Sequence, residues 1–174
     1  MQKSSLKTRR AILDAFNHVF NAHRERRIRV QDVADRAGVG RSTFYDHFAG
    51  VEAVQLASMR VPFGLLADAA VGDCEPERLE PLLRHFWDNR RRARDLLANR
   101  AGDQVMRLLG ELVVERLEAP LAMPVHLAAQ QLAGAVLMPV RAWLLGEAPA
   151  APDALAQALC RSGTALAAAL RQPA

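Results

Sequence analysis

Cysteine is almost absent from this chain. Cys74 and Cys160 are the only two in 174 residues. Lying far apart in sequence, they form neither a disulfide framework nor a zinc-ligand pattern, and they read as reduced packing or surface thiols in a cytosol. Long apolar runs are missing too. The most apolar stretches are cut by Pro139, Arg141, Arg161 or Gly163 well before the about 18 residues a membrane span needs. The N-terminus has no apolar signal-peptide core. No His, Cys and carboxylate set has metal-ligand spacing, so no metal and no cofactor is expected. A nucleophile beside a base, paired carboxylates in an apolar setting and a phosphate-cradling glycine loop are also lacking, which argues against an enzyme. No stretch alternates as a strand would, and nothing repeats.

What remains is helix. Half of the residues, 51%, are apolar, enough for a core, and the length suits a small module plus a larger helical domain. The formal net charge is +4, unevenly spread. Residues 1–50 hold ten Lys/Arg against five Asp/Glu, a balance of +5; residues 51–174 hold thirteen against fourteen, a balance of −1. All the basic excess therefore sits in the first 50 residues, as a footprint for phosphate should.

The most informative stretch is residues 30–48, VQDVADRAGVGRSTFYDHF. Val30, Val33, Ala34 and Ala37 fall at i, i+3, i+4 and i+7, one face of a short helix. Small Ala34 lets a second helix cross close above it. Gly38 stands where the turn needs a positive φ. Phe44 and Phe48, four apart, give the second helix a buried face, and Arg41, Ser42, Thr43, Tyr45 and His47 are left to face outward. This is the spacing of a helix-turn-helix whose second helix enters the DNA major groove.

Around it the periodicity predicts a helix over 4–23, with Ile12, Phe16 and Phe20 four apart and Ser4 or Ser5 as its cap. A charged connection, residues 24–27, leads to helices over 30–37 and 41–48. A longer helix runs from Val51 to about Ala69, kinked at Pro62. Further helices are expected over 77–89, on to about Ala98, over 104–118, 125–145 and 153–171. The tally is nine, an all-α chain: a three-helix helix-turn-helix head over 1–50 and a six-helix body over 51–174. The last two helices are rich in Ala, Leu and Gly and poor in charge. Helices that apolar all round need cover on more than one side. A homodimer joined through 125–145 and 153–171 of each subunit, as a four-helix bundle, is therefore expected.

The segments Arg10–Phe16, Val30–Ala34, Ala37–Val39 and Thr43–Phe48 resemble the tetracycline-repressor-like (TetR) family of bacterial transcription regulators. The resemblance covers about the first 50 residues; the body is similar in architecture only. It implies a homodimer on double-stranded DNA, a near-palindromic operator, a variable ligand-binding body and repression released by a small molecule in a bacterial cytoplasm, at the nucleoid. Carried over, the family's DNA contacts fall on Arg41, Ser42, Thr43, Tyr45 and His47. Arg41 suits phosphate or a bidentate contact to guanine. The Ser42 and Thr43 hydroxyls lie at a helix start where phosphate is favoured, and Tyr45 and His47 offer single donors for phosphate oxygens. The family's usual Thr or Ser cap is Arg29 here. Its side chain cannot accept a hydrogen bond, but its charge could serve phosphate directly. Gly40 stands for the usual serine before the recognition helix, and Val51 for the usual lysine after it; Arg24, Arg26 and Arg27 could compensate.

The family's effector lies in the body, which points to Met59, Phe63, Phe86, Trp87, Met106 and Leu109 as lining residues of a mainly apolar site. Bulky apolar side chains at helical spacing also suit plain core. Three other readings compete: an activator, a ligand-independent regulator of the same fold, and a helical interaction protein that binds no DNA.

Overall fold

The computed structural model describes residues 2–22, 28–97, 99–118 and 120–171. Side chains are described for all of these except residues 2–4, 21, 99 and 100. The expected charged connection at 24–27, with Arg24, Arg26 and Arg27, lies outside the described residues. Among the described residues the chain forms ten α-helices and no strand: α1 (Gln2–Ala22), α2 (Val30–Ala37), α3 (Arg41–His47), α4 (Val51–Ser58), α5 (Arg60–Val71), α6 (Pro76–Asp88), α7 (Arg90–Leu96), α8 (Asn99–Val114), α9 (Val125–Leu145) and α10 (Pro152–Leu170). No single helix among them is long and apolar enough to cross a membrane.

Two boundaries differ from the sequence reading. The first helix begins at Gln2, so neither Ser4 nor Ser5 is its cap. The long helix from Val51 is two helices, and the break falls at Met59 instead of Pro62. Pro62 sits in the first turn of α5, where its missing N–H forfeits no intrahelical bond. What the ring opposes is a helical carbonyl four residues back, at Ser58, the last residue of α4. The Met59 N–H closes α4 instead, donating to the carbonyls of Gln55 and Leu56, each at 3.2 Å.

The chain divides into two compact units, Met1–Arg60 and Val61–Ala174. In the first, α1 packs on α2 and α4, and α2 packs on α3. Ile12, Ala15 and Phe16 of α1 meet Val33 and Ala34 of α2, Phe44 and Phe48 around α3, and Val54 of α4. Each lies on the stripe that helical spacing assigns to it.

In the second unit α9 packs against α7, α8 and α10, and α10 also packs against α6. Trp143 of α9 is buried and stacks on Trp87 of α6 with ring centroids 4.9 Å apart. Its indole N–H donates to the Ala150 carbonyl at 2.9 Å, which removes the cost of burying that donor. Arg116, just past α8, donates through Nε to Asp68 Oδ1 at 2.6 Å and through Nη1 to the Leu112 carbonyl at 2.7 Å, which ties α5 to α8.

Candidate DNA interface

The turn between α2 and α3 is set by Gly38, in the left-handed region at φ 66° and ψ 33°. A side chain there would be strained. The Val39 N–H returns to the Ala34 carbonyl at 3.0 Å, a bond that pins the turn against the middle of α2. Ala34 itself is fully buried. Gly40, extended at φ −71° and ψ 158°, begins α3, and its carbonyl accepts the Phe44 N–H at 2.9 Å.

Phe44 is 0% exposed and Phe48 nearly so; both anchor α3 to the core. The opposite side of α3 then has no choice but solvent. Arg41, Ser42, Tyr45 and Asp46 are exposed, and Thr43 and His47 are half-buried. Tyr45 is 50% exposed and stands edge-on to Phe44 at 5.7 Å, so its ring is braced while its hydroxyl is free to project. Arg29, ahead of α2, is exposed. Its side chain makes no cap hydrogen bond. Only the reverse bond exists, the Arg29 N–H donating to Asp32 Oδ2 at 2.9 Å.

Arg9 is the residue that sequence reasoning missed. Its Nη1 donates to the His47 carbonyl at 3.2 Å, and its guanidinium lies 4.3 Å from the centroid of the Phe48 ring. A cation at the last carbonyls of α3 is favourable for the helix dipole, and the flat guanidinium suits an aromatic face. The available signal was position: Arg9, Ile12, Phe16 and Val19 follow one helical stripe, so a charge stands where the pattern wants an apolar residue.

Residues 12–57 match the model of the bacterial regulatory proteins of the tetR family. The head is therefore similar to the helix-turn-helix domain of that family. Among solved structures, the dihydroxyacetone kinase operon activator DhaS aligns with 95% of this chain and 98% of its own at a TM-score of 0.51 and 16% identity, a likeness of fold. NalD of Pseudomonas aeruginosa, the secondary repressor of the MexAB-OprM multidrug efflux pump, covers 91% of this chain and 96% of its own, with a TM-score of 0.41 and 19% identity. The fatty acid degradation regulator FadR of Bacillus halodurans covers 90% and 94%, with a TM-score of 0.43 and 19% identity. No curated protein matches the chain by sequence.

Of the expected effector residues, Phe63 and Leu109 are buried, Phe86 and Met106 half-buried, and Trp87 sits at the surface. Phe63 and Phe86 pack together at 6.1 Å. Met59 is buried in the first unit. Two clefts in the second unit have other linings. One of about 250 Å³ is lined by Val71, Asp73, Arg116, Leu117, Glu118, Leu121, Ala167 and Arg171. A smaller one of about 40 Å³ lies beside Arg94, Leu97, Arg141, Leu144 and Leu145.

Proposed function

We propose that the chain is a homodimeric transcriptional repressor of a near-palindromic operator, released by a small, mainly apolar ligand. Residues 1–50 are its DNA-binding domain and 51–174 its ligand-binding and dimerisation domain. One observation carries the reading: a row of donors on α3, Arg41, Ser42, Thr43 and Tyr45, braced from behind by Phe44 and Phe48, in a stretch with a charge of +5. His47 adds a donor at the end of the row, and Arg29 a cation ahead of α2. Two such rows about 34–36 Å apart would meet successive major grooves. The ligand would lodge in the second unit, among Phe63, Phe86, Trp87, Met106 and Leu109. It would release DNA by favouring the non-binding state by about 1–3 kcal/mol.

The test is a fluorescence-anisotropy titration with duplexes from the chain's own gene neighbourhood, at several salt concentrations. Tight binding that depends on sequence and falls steeply with salt is expected. Arg41→Ala should weaken it by about 1–3 kcal/mol and relax the base preference if Arg41 reads guanine. Tyr45→Phe should weaken all duplexes alike. Binding that is weak and equal on every sequence overturns the reading.

A further inference from the structure

The chain's two cysteines, 86 residues apart in sequence, meet in the second unit. Close backbone packing brings them together. A Cβ on Gly163 of α10 would fall 1.8 Å from the Ala69 carbonyl oxygen of α5, and one on Gly72 would fall 2.7 Å from Thr164 Cα. Both glycines are therefore contact points between α10 and the end of α5. Cys74 follows Gly72 by two residues, and Cys160 precedes Gly163 by three. Each thiol perturbs the other, and Cys74 Sγ donates to the Glu75 carbonyl at 3.4 Å. Cys74 is half-buried, whereas Cys160 is 5% exposed. Cys74 is therefore the more accessible of the two residues.

We infer that Cys74 and Cys160 are a redox modification site, closing to an intrachain disulfide by exchange with a small disulfide of the glutathione type. The Cys74 sulfur, on losing its proton, attacks one sulfur of the small disulfide. That S–S bond breaks, and one small thiol departs carrying a proton. The Cys160 sulfur then gives up its proton and attacks the Cys74 sulfur of the mixed disulfide, and the second small thiol departs, again protonated. Two protein thiols are oxidised by two electrons, and one small disulfide is reduced to two thiols.

The surroundings set the character of the pair. Burial, first, and then the neighbouring Cys160 and Asp68 push the Cys74 thiol up to about 12, against the pull of Arg78. Cys160 is also raised, by burial and by Glu75 and Glu77, although the neighbouring Cys74 works the other way. Few thiolates are present at neutral pH, so the exchange is slow. The reduced pair also gains nothing from ionisation, while the uncharged disulfide is not penalised by burial or by the carboxylates. It is a latch more than a fast sensor, and it fastens α10 to the segment after α5.

The test uses the full chain equilibrated in mixtures of oxidised and reduced glutathione, then alkylated and examined by intact mass and peptide mapping. The expected result is slow loss of both free thiols, no retained glutathione, and a peptide pair joining Cys74 to Cys160, with an oxidised form that melts several degrees higher. Cys160→Ser should stop at a glutathione adduct on Cys74. Because the wild-type chain gives the main readout, the test does not depend on a variant folding. The inference is overturned if both thiols of the folded protein stay open to alkylation, if each keeps its own adduct, or if the link joins two chains.

Discussion

Arg9 carries a charge one turn ahead of Ile12 on the stripe of α1 that is otherwise buried, and it spends that charge on the end of α3. Its partners are a main-chain carbonyl and a phenyl ring. Both are uncharged, so the contact is not a salt bridge that added salt would erase. Arg9→Leu keeps the stripe apolar but leaves the His47 carbonyl to water and the Phe48 face uncovered. An exposed cation–π contact is worth about 0.5–1 kcal/mol, and urea unfolding should report a loss of that size. DNA affinity should fall as well, because the last turn of α3 loses its tether. An unchanged unfolding midpoint would mean that the contact does nothing in solution. The residues of α3 itself were legible in the sequence, since Phe44 and Phe48 at a spacing of four leave the other side chains no inward direction. Arg9 was not, because its meaning depends on a carbonyl 38 residues further on. Nor was the pairing of Cys74 with Cys160, which no sequence spacing encodes and which rests on where Gly72 and Gly163 let two backbones touch.

At the scale of the element, the helices were legible wherever an apolar stripe repeats, and their ends were legible where a glycine must be left-handed. Gly38 and Gly146 both close helices with positive φ. The break after Ser58 was misplaced because a proline opposes a helical carbonyl four residues before it, so the break falls ahead of the ring. The start of α2 shows a different compromise. Arg29 has the extended backbone of an N-cap residue, at φ −108° and ψ 156°, and the Asp32 carboxylate already accepts its N–H. Half of a capping box is in place, and an acceptor on residue 29 would complete it. Arg29→Ser should therefore stabilise the chain by about 1 kcal/mol, read as a higher urea midpoint. If Arg29 serves a DNA phosphate, the same variant should bind more weakly and lower the salt slope by about 0.9. Stability and affinity would then move in opposite directions. A rise in stability with no change in slope would leave Arg29 out of the interface.

The whole-molecule question is what covers the outer sides of α9 and α10. On α9 the outward residues Leu127, Gln131, Gly134, Met138, Arg141 and Leu145 are spaced by four and three in alternation. Leu127 and Met138 are each 52% exposed and Leu145 is 43% exposed. On α10 the exposed residues Ala154, Ala158, Arg161, Ala165 and Ala168 repeat in the same way. Alternating spacings of four and three are the pattern of a helix seam, and exposed apolar side chains along such a row suit a partner helix. Gly134 sharpens the point. A glycine in mid-helix costs up to about 1 kcal/mol relative to alanine, yet a Cβ there would meet nothing within 4 Å in the protomer. In the proposed dimer that space would receive the neighbouring subunit. Gly134→Leu should leave the protomer at least as stable, because helix propensity improves and its Cβ strikes nothing within the chain. In a four-helix bundle across the subunits it should drive the helices apart, so sedimentation should show a dimer for the parent at micromolar concentration and monomer for the variant. Affinity for a two-half-site operator should fall with it, by about 10²–10⁴, since the second head would no longer be delivered by the first. A variant that remains a dimer would move the subunit contact off this seam, and a parent that sediments as a monomer would remove the dimer altogether.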